Sequence, residues 1–133
     1  MAVKGIKTVL IIEDDPYNRE LEKALFEREG YAVLEAEYAR KGIAIAEREK
    51  PWLIILDYQL PKVGGLQALK TLKRNPETRG IPCVFVTASV SEEQRKELKS
   101  SDACGFITKP INTRTFVEEV IKLTRNAGGN INH

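Results

Sequence analysis

The sequence predicts an α/β domain, a three-layer α/β/α sandwich around a five-stranded parallel sheet. Two observations carry that prediction. Short apolar runs alternate with amphipathic stretches of helical period, the pattern of parallel strands joined by crossover helices. The runs TVLII (8–12), WLIIL (52–56) and PCVFVT (82–87) are almost continuously apolar, as strands covered on both faces are. A length of 133 residues suits one domain built on one core.

The elements run in order along the chain. TVLII reads as the first strand, and PYNRELEKALFERE (16–29) as a helix with Leu21, Ala24 and Leu25 on one face and Gly30 as its stop. Asp15 before Pro16 has the form of an N-cap followed by proline at the first helical position. YAVLEA (31–36) alternates more and suits an edge strand. Residues 38–49 carry Ile43 and Ala46 at helical spacing and end before Pro51. WLIIL is the third strand, and 65–74 places Leu66, Leu69 and Leu72 on one side of a helix. PCVFVT is the fourth strand. SEEQRKELKS (91–100) has Ser91 and Gln94 at capping-box spacing but little apolar surface. CGFIT (104–108) is the fifth strand. A last helix over about 113–125 offers Phe116, Val117, Val120 and Ile121, and 126–133 reads as a frayed tail.

Composition narrows the function classes. A hydrophobic content of 42% with 30% charged residues fits a globular chain, and no apolar run approaches the roughly 20 residues that span a bilayer. The opening MAVKGIKTVLII is too short and badly flanked for a signal peptide, which implies a cytoplasmic protein. A formal net charge of +2 gives no argument for nucleic acid. Cys83 and Cys104 lie in apolar runs and read as core thiols. The one histidine is His133, so histidine chemistry has to come from another molecule.

The informative feature is the polar group at the end of each run: the first strand ends in Glu13-Asp14-Asp15, the third in Asp57, the fourth in Thr87 and the fifth in Lys109. In a parallel sheet these carboxyl ends share one edge, where ligands bind at the reversal of strand order. Each residue alone has an ordinary role: Asp57 in a turn, Thr87 in a strand, Lys109 in solvent. Together they deliver acids, a hydroxyl and an amine to one place. Clustered carboxylates repel and raise a pKa unless a cation compensates, and Lys109 supplies one charge. A hard divalent cation is the natural remainder. Mg²⁺ fits, with Mn²⁺ as the alternative, and Asp57 then becomes a nucleophile toward a phosphoryl group.

The segments VLIIEDD, LIILDYQLPKVGG, VFVTA and FITKP, in that order and spacing, resemble the receiver domain of two-component response regulators (CheY-like). The resemblance spans about residues 7–125 and implies a flavodoxin-like (βα)5 fold with strand order 2-1-3-4-5. It implies Asp57 as phosphoacceptor, Glu13 and Asp14 as the acidic pair at the metal, and a metal contact from the Gln59 backbone carbonyl. It further implies a phosphoryl contact from the Thr87 hydroxyl and the Ala88 N–H, and a phosphoryl partner in Lys109 before a cis Pro110. Phe106 falls on the family's switch position, where its ring would turn into space left by Thr87. Without a polar tip, that ring cannot hydrogen-bond as tyrosine or histidine does there. Gly64 stands where the family commonly has an acidic or amide residue, and Gln59 and Ser89 occupy positions that tune phosphoryl lifetime.

The implied donor is a histidine kinase or a histidine phosphotransfer protein. The implied output is a downstream protein, or a second copy, on the face of the fourth helix, fifth strand and fifth helix. Nucleic acid and membrane are not expected as direct partners. Such a domain is a signalling element that contributes to its own phosphorylation and dephosphorylation, not an enzyme. Three rival readings fit the residues less well. A haloacid-dehalogenase-type phosphatase would need an Asp where Gln59 stands. A flavodoxin-like cofactor module would need a phosphate cradle where Glu13-Asp14-Asp15 repels phosphate. A receiver-like interaction module independent of phosphorylation would not need the full set of acids, Thr87 and Lys109. The segment after the fifth helix leaves no room for an output domain, so the chain is expected to be a stand-alone receiver or a piece of a larger regulator or hybrid kinase.

Overall fold

The computed structural model describes residues 5–88 and 90–131. Five strands, β1 (Thr8–Ile12), β2 (Ala32–Ala36), β3 (Leu53–Asp57), β4 (Cys83–Thr87) and β5 (Gly105–Thr108), form one sheet. Every pairing is parallel and the order is β2-β1-β3-β4-β5, as the sequence led us to expect. The helices are α1 (Pro16–Arg28), α2 (Ala39–Glu49), α3 (Gly65–Arg74), α4 (Glu92–Ser100) and α5 (Phe116–Ile131).

Strand parity divides the core into two. Leu10, Ile12, Ile54, Leu56 and Phe85 face one side, packed with Ala46, Leu69, Leu72 and Leu98 of α2, α3 and α4. Val9, Ile11, Leu53, Ile55, Val84 and Val86 face the other, with Leu25 and Phe26 of α1 and Phe116 and Val120 of α5. The central strands β1, β3 and β4 are therefore buried on both faces, while β2 at the edge is only partly buried.

Local signals behave as the chemistry demands. The Asp15 side chain caps α1 by accepting from Asn18 N at 3.0 Å, and Gly30 ends the turn after it with φ +94°. Ser91 and Gln94 form a reciprocal capping box on α4. Cys83 is buried and Cys104 half-buried, and both are free thiols. Among the described residues no helix is long and apolar enough to cross a membrane.

Some boundaries differ from the sequence reading. Asp57 is the last residue of β3, hydrogen-bonded into the sheet, so the strand extends past the run WLIIL (52–56). Residues 113–115 form a turn held by Asn112, whose side chain accepts from Arg114 N and whose carbonyl accepts from Phe116 N. Helix α5 then continues to Ile131, beyond the expected end at 125. Gly128 and Gly129 weaken a helix by about 1 kcal/mol each relative to alanine but do not forbid it. Residues 132–133 of the expected tail, and Ser89, lie outside the described residues.

One buried group is out of keeping with its surroundings. Glu22 is 2% exposed on the core face of α1, three and four residues from Leu25 and Phe26. Burial, and then the charges of Glu13 and Asp57, push its carboxyl up to about 8, with Lys109 partly offsetting them. An acid raised in the folded state gives most stability below its unfolded value near 4.5, and loses it as pH climbs to 8. Glu22→Gln should therefore flatten the pH dependence. Urea unfolding should find the variant more stable than wild type by about 3–5 kcal/mol at pH 8, with the gap closing near pH 5. Parallel profiles for the two proteins would contradict this.

Candidate functional site: an acid and lysine cluster at the strand-order reversal

The chain leaves β1 toward β2 on one side and later returns to β3 on the other, so the crevice at their carboxyl ends is the switch point of the sheet. Parity decides which side chains meet there. Glu13 and Asp57 continue the series of Val9, Ile11, Leu53 and Ile55, and Lys109 continues that of Ile107, all toward α1 and α5. Thr87 continues the opposite series through Cys83 and Phe85, the face that also carries Phe106.

Each group is held by its neighbours. Glu13 is 1% exposed; its Oε1 accepts from Lys109 Nζ at 2.8 Å and its Oε2 from Asp15 N at 3.1 Å. Arg19 Nη1 donates to the Glu13 carbonyl at 2.9 Å and fixes the backbone there. Asp57 is 4% exposed, with Oδ1 accepting from Gln59 N at 3.0 Å and Oδ2 lying 3.8 Å from Lys109 Nζ. Lys109 N donates to Thr87 O at 2.7 Å, so the lysine is registered against β4 before its side chain turns in; the Lys109–Pro110 bond is cis, as expected. Asp14 is exposed, yet its carboxylate joins those of Glu13 and Asp57 within 4.8 Å.

The electrostatics follow from this packing. Burial pushes the Glu13 carboxyl up to about 7; Lys109 and the Asp15 N–H work against that, and the Asp57 charge adds to it. Burial disfavours the Lys109 charge, but Glu13 and Asp57 more than compensate and raise its pKa. The cluster holds more acid than its lysine can balance. Three carboxylates within reach of one point form an oxygen-only donor set, which suits a hard divalent cation that keeps some of its waters. The Thr87 hydroxyl oxygen is fully buried and makes no hydrogen bond among the described residues. A buried unpaired hydroxyl is costly unless a partner arrives.

Of the expected site residues, Glu13, Asp14, Asp57 and Lys109 meet in the crevice, and Thr87 ends the neighbouring strand with its side chain in the opposite parity series. The Ala88 N–H, assigned to a phosphoryl oxygen, here donates to the Gln59 side-chain Oε1 at 3.1 Å. The Phe106 ring is half-buried, with the Arg95 guanidinium 5.5 Å from its centroid. Gly64 is the N-cap of α3 and makes no side-chain capping hydrogen bond. Sequence reasoning missed Arg19 and Glu22, although an acid on the apolar stripe of α1 was a visible signal. It also missed the constraint on Gly65.

A doubly wound α/β domain with buried acids and a lysine at its switch point is the class that this fold and site define. The chain matches the model of the response regulator receiver domain over residues 9–121, and it belongs to that family. It is 33% identical to the polar-differentiation response regulator DivK of Brucella anthropi, over 86% of this chain and 93% of that one. Among solved structures, a CheY-like receiver domain protein of Methanospirillum hungatei superposes with a TM-score of 0.82 at 29% identity, covering 94% of this chain and 99% of that one. The receiver domain of a sensor histidine kinase of Pseudomonas aeruginosa shares the fold at 21% identity, with a TM-score of 0.80 and coverage of 90% and 98%.

Gly65 packs where no side chain fits: a Cβ there would lie 2.4 Å from Asp57 O and 2.7 Å from Tyr58 Cα. Both are backbone atoms and cannot swing aside. Gly65→Ala should destabilise the protein by about 1–3 kcal/mol in urea unfolding, whereas Gly64→Ala, with open space around its Cβ, should change stability little. Equal effects at the two positions would contradict this packing.

Proposed function

We propose that this chain is a phosphorylation-dependent signalling switch that accepts a phosphoryl group on Asp57. The observation that carries the reading is the buried Asp57 carboxylate, 3.8 Å from the Lys109 ammonium, beside a strand that ends in a buried Thr87 hydroxyl without a partner among the described residues. An Asp57 carboxylate oxygen attacks the phosphorus of a phosphohistidine. The P–N bond breaks, its electron pair returns to the imidazole, and an acyl phosphate forms on Asp57. Membership of the response regulator receiver family supports a histidine kinase or a histidine phosphotransfer protein as the source of the phosphohistidine.

The chain's residues divide the remaining work. Lys109 leaves Glu13 to neutralise one phosphoryl oxygen, and Thr87 finds in another the partner its hydroxyl lacks. The Ala88 N–H reaches the phosphoryl group once the Gln59 side chain gives it up. Glu13, Asp14, Asp57 and the Gln59 carbonyl would hold Mg²⁺, or Mn²⁺ in its place. When bound, the ion supplies the charge that offsets the clustered acids and the incoming phosphoryl oxygens. The same groups serve the chain's own phosphorylation and dephosphorylation, and Ser89 bears on phosphoryl lifetime. As Thr87 moves toward its new partner, Phe106 on the same face turns inward. That change alters the surface of α4, β5 and α5 offered to a downstream protein or a second copy. The domain acts in the cytoplasm and is built on residues 7–125, with α5 running on to Ile131.

Incubation with acetyl phosphate and Mg²⁺ should add the mass of one phosphoryl group, labile to hydroxylamine. Asp57→Asn should abolish the gain, and EDTA should suppress it by at least about tenfold, the effect of losing one strong electrostatic contribution. Labelling of the Asn variant at the wild-type level would refute the assignment.

A further inference from the structure

The geometry points to a tether between the phosphoacceptor loop and helix α4, made by the Tyr58 hydroxyl and the Glu97 carboxylate, that holds α4 on the domain and couples it to Asp57.

Helix α4 is poorly anchored by ordinary means. Its sequence, EEQRKELKS, is mostly charged, and Leu98 is its one buried residue. Elements with so little buried apolar surface open at low free-energy cost. Against that background, the Tyr58 hydroxyl donates a hydrogen bond to Glu97 Oε1, in the middle of the exposed side of α4. Burial and the Glu97 acceptor push the phenol up to about 12, so it remains a donor throughout the neutral range.

Tyr58 is itself rigidly placed. Its ring meets Phe85 of β4 edge-on, with centroids 5.6 Å apart. Its N–H donates to Val86 O and its carbonyl accepts from Gly65 N, both at 3.1 Å. It also follows Asp57 directly in the chain. A shift of Asp57 on gaining a phosphoryl group therefore reaches α4 through one residue and one hydrogen bond. This path is separate from the one through Thr87 and Phe106. By reciprocity, whatever binds α4 changes how readily Asp57 is modified. The coupling rests on Asp57 being the phosphoacceptor, whereas the tether itself does not.

The test is amide hydrogen exchange of residues 92–100 in the full chain, unmodified and after acetyl phosphate with Mg²⁺. Tyr58→Phe keeps the ring on Phe85 and removes the donor. It should speed exchange in α4 about fivefold, the effect of one hydrogen bond, while β3 and β4 stay as in wild type. Glu97→Ala, an exposed change that leaves the core alone, should match it, and the double variant should go no further than either. Glu97→Gln retains an acceptor and should stay near wild type. In Tyr58→Phe, the change in α4 exchange on phosphorylation should fall below half the wild-type change. Wild-type exchange rates in both single variants, or effects that add in the double, would overturn the tether. A full phosphorylation response in Tyr58→Phe would overturn the coupling. Failure of the wild-type protein to take up a phosphoryl group would instead count against the reading of Asp57, and the unmodified-state rates would still decide the tether.

Discussion

Glu13 and Asp57 carry two carboxyl groups into the same buried crevice, with the Lys109 ammonium 2.8 Å from one and 3.8 Å from the other. Two like charges about 4 Å apart near a protein surface repel by about 4 kcal/mol, and each also gives up its hydration. Such a pair persists only where the surrounding structure over-determines it. The raised pKa of Glu13 records its burial first, with the Asp57 charge adding to it and Lys109 only partly offsetting it. The charge imbalance is one a divalent cation would relieve, and the carboxylates of Glu13, Asp14 and Asp57 form the oxygen donor set such an ion takes.

The fold supplies the over-determination. Strand parity points Glu13, Asp57 and Lys109 to one side of the sheet and Thr87 to the other, and the β1–β3 reversal leaves space between them. The Asp15 N–H, the Gln59 N–H and Arg19 each fix one atom of the acidic pair or its backbone. Gly65 lets the start of α3 lie directly against the Asp57 carbonyl. Against this rigid edge, α4 hangs from Leu98, the Tyr58–Glu97 hydrogen bond and the contact of Arg95 with Phe106. A fixed site next to a loosely held helix is the arrangement a switch needs, since a charge change at the first can alter the second at small cost.

Much of this was legible in the sequence because it rests on periodicity and order. Continuous runs such as LIIL marked strands covered on both faces, and the polar residue ending each run marked the ligand edge. Capping residues Asp15 and Ser91 were readable because their partners lie three residues away. What was not legible depends on packing between distant segments. Nothing local to Gly65 says that it lies on Asp57, and nothing in VFVTA says that Gln59 will take the Ala88 N–H. Glu22 was hidden differently. Its type argued for the surface, and its neighbours Leu25 and Phe26 placed it in the core. The end of α5 escapes the sequence because Gly128 and Gly129 suggest a break where the helix in fact continues.

The most direct test of the account is the titration of the Glu13 carboxyl, followed by its ¹³C chemical shift with and without Mg²⁺. Without the cation, the midpoint should lie near 7, held up by burial and by Asp57. With saturating Mg²⁺ it should fall toward the ordinary carboxylate range, because a nearby cation favours the ionised carboxylate and opposes the effect of burial and of Asp57. A midpoint already in the ordinary range without Mg²⁺, or one that Mg²⁺ does not move, would contradict the claim that this crevice is built around an incomplete balance of charge.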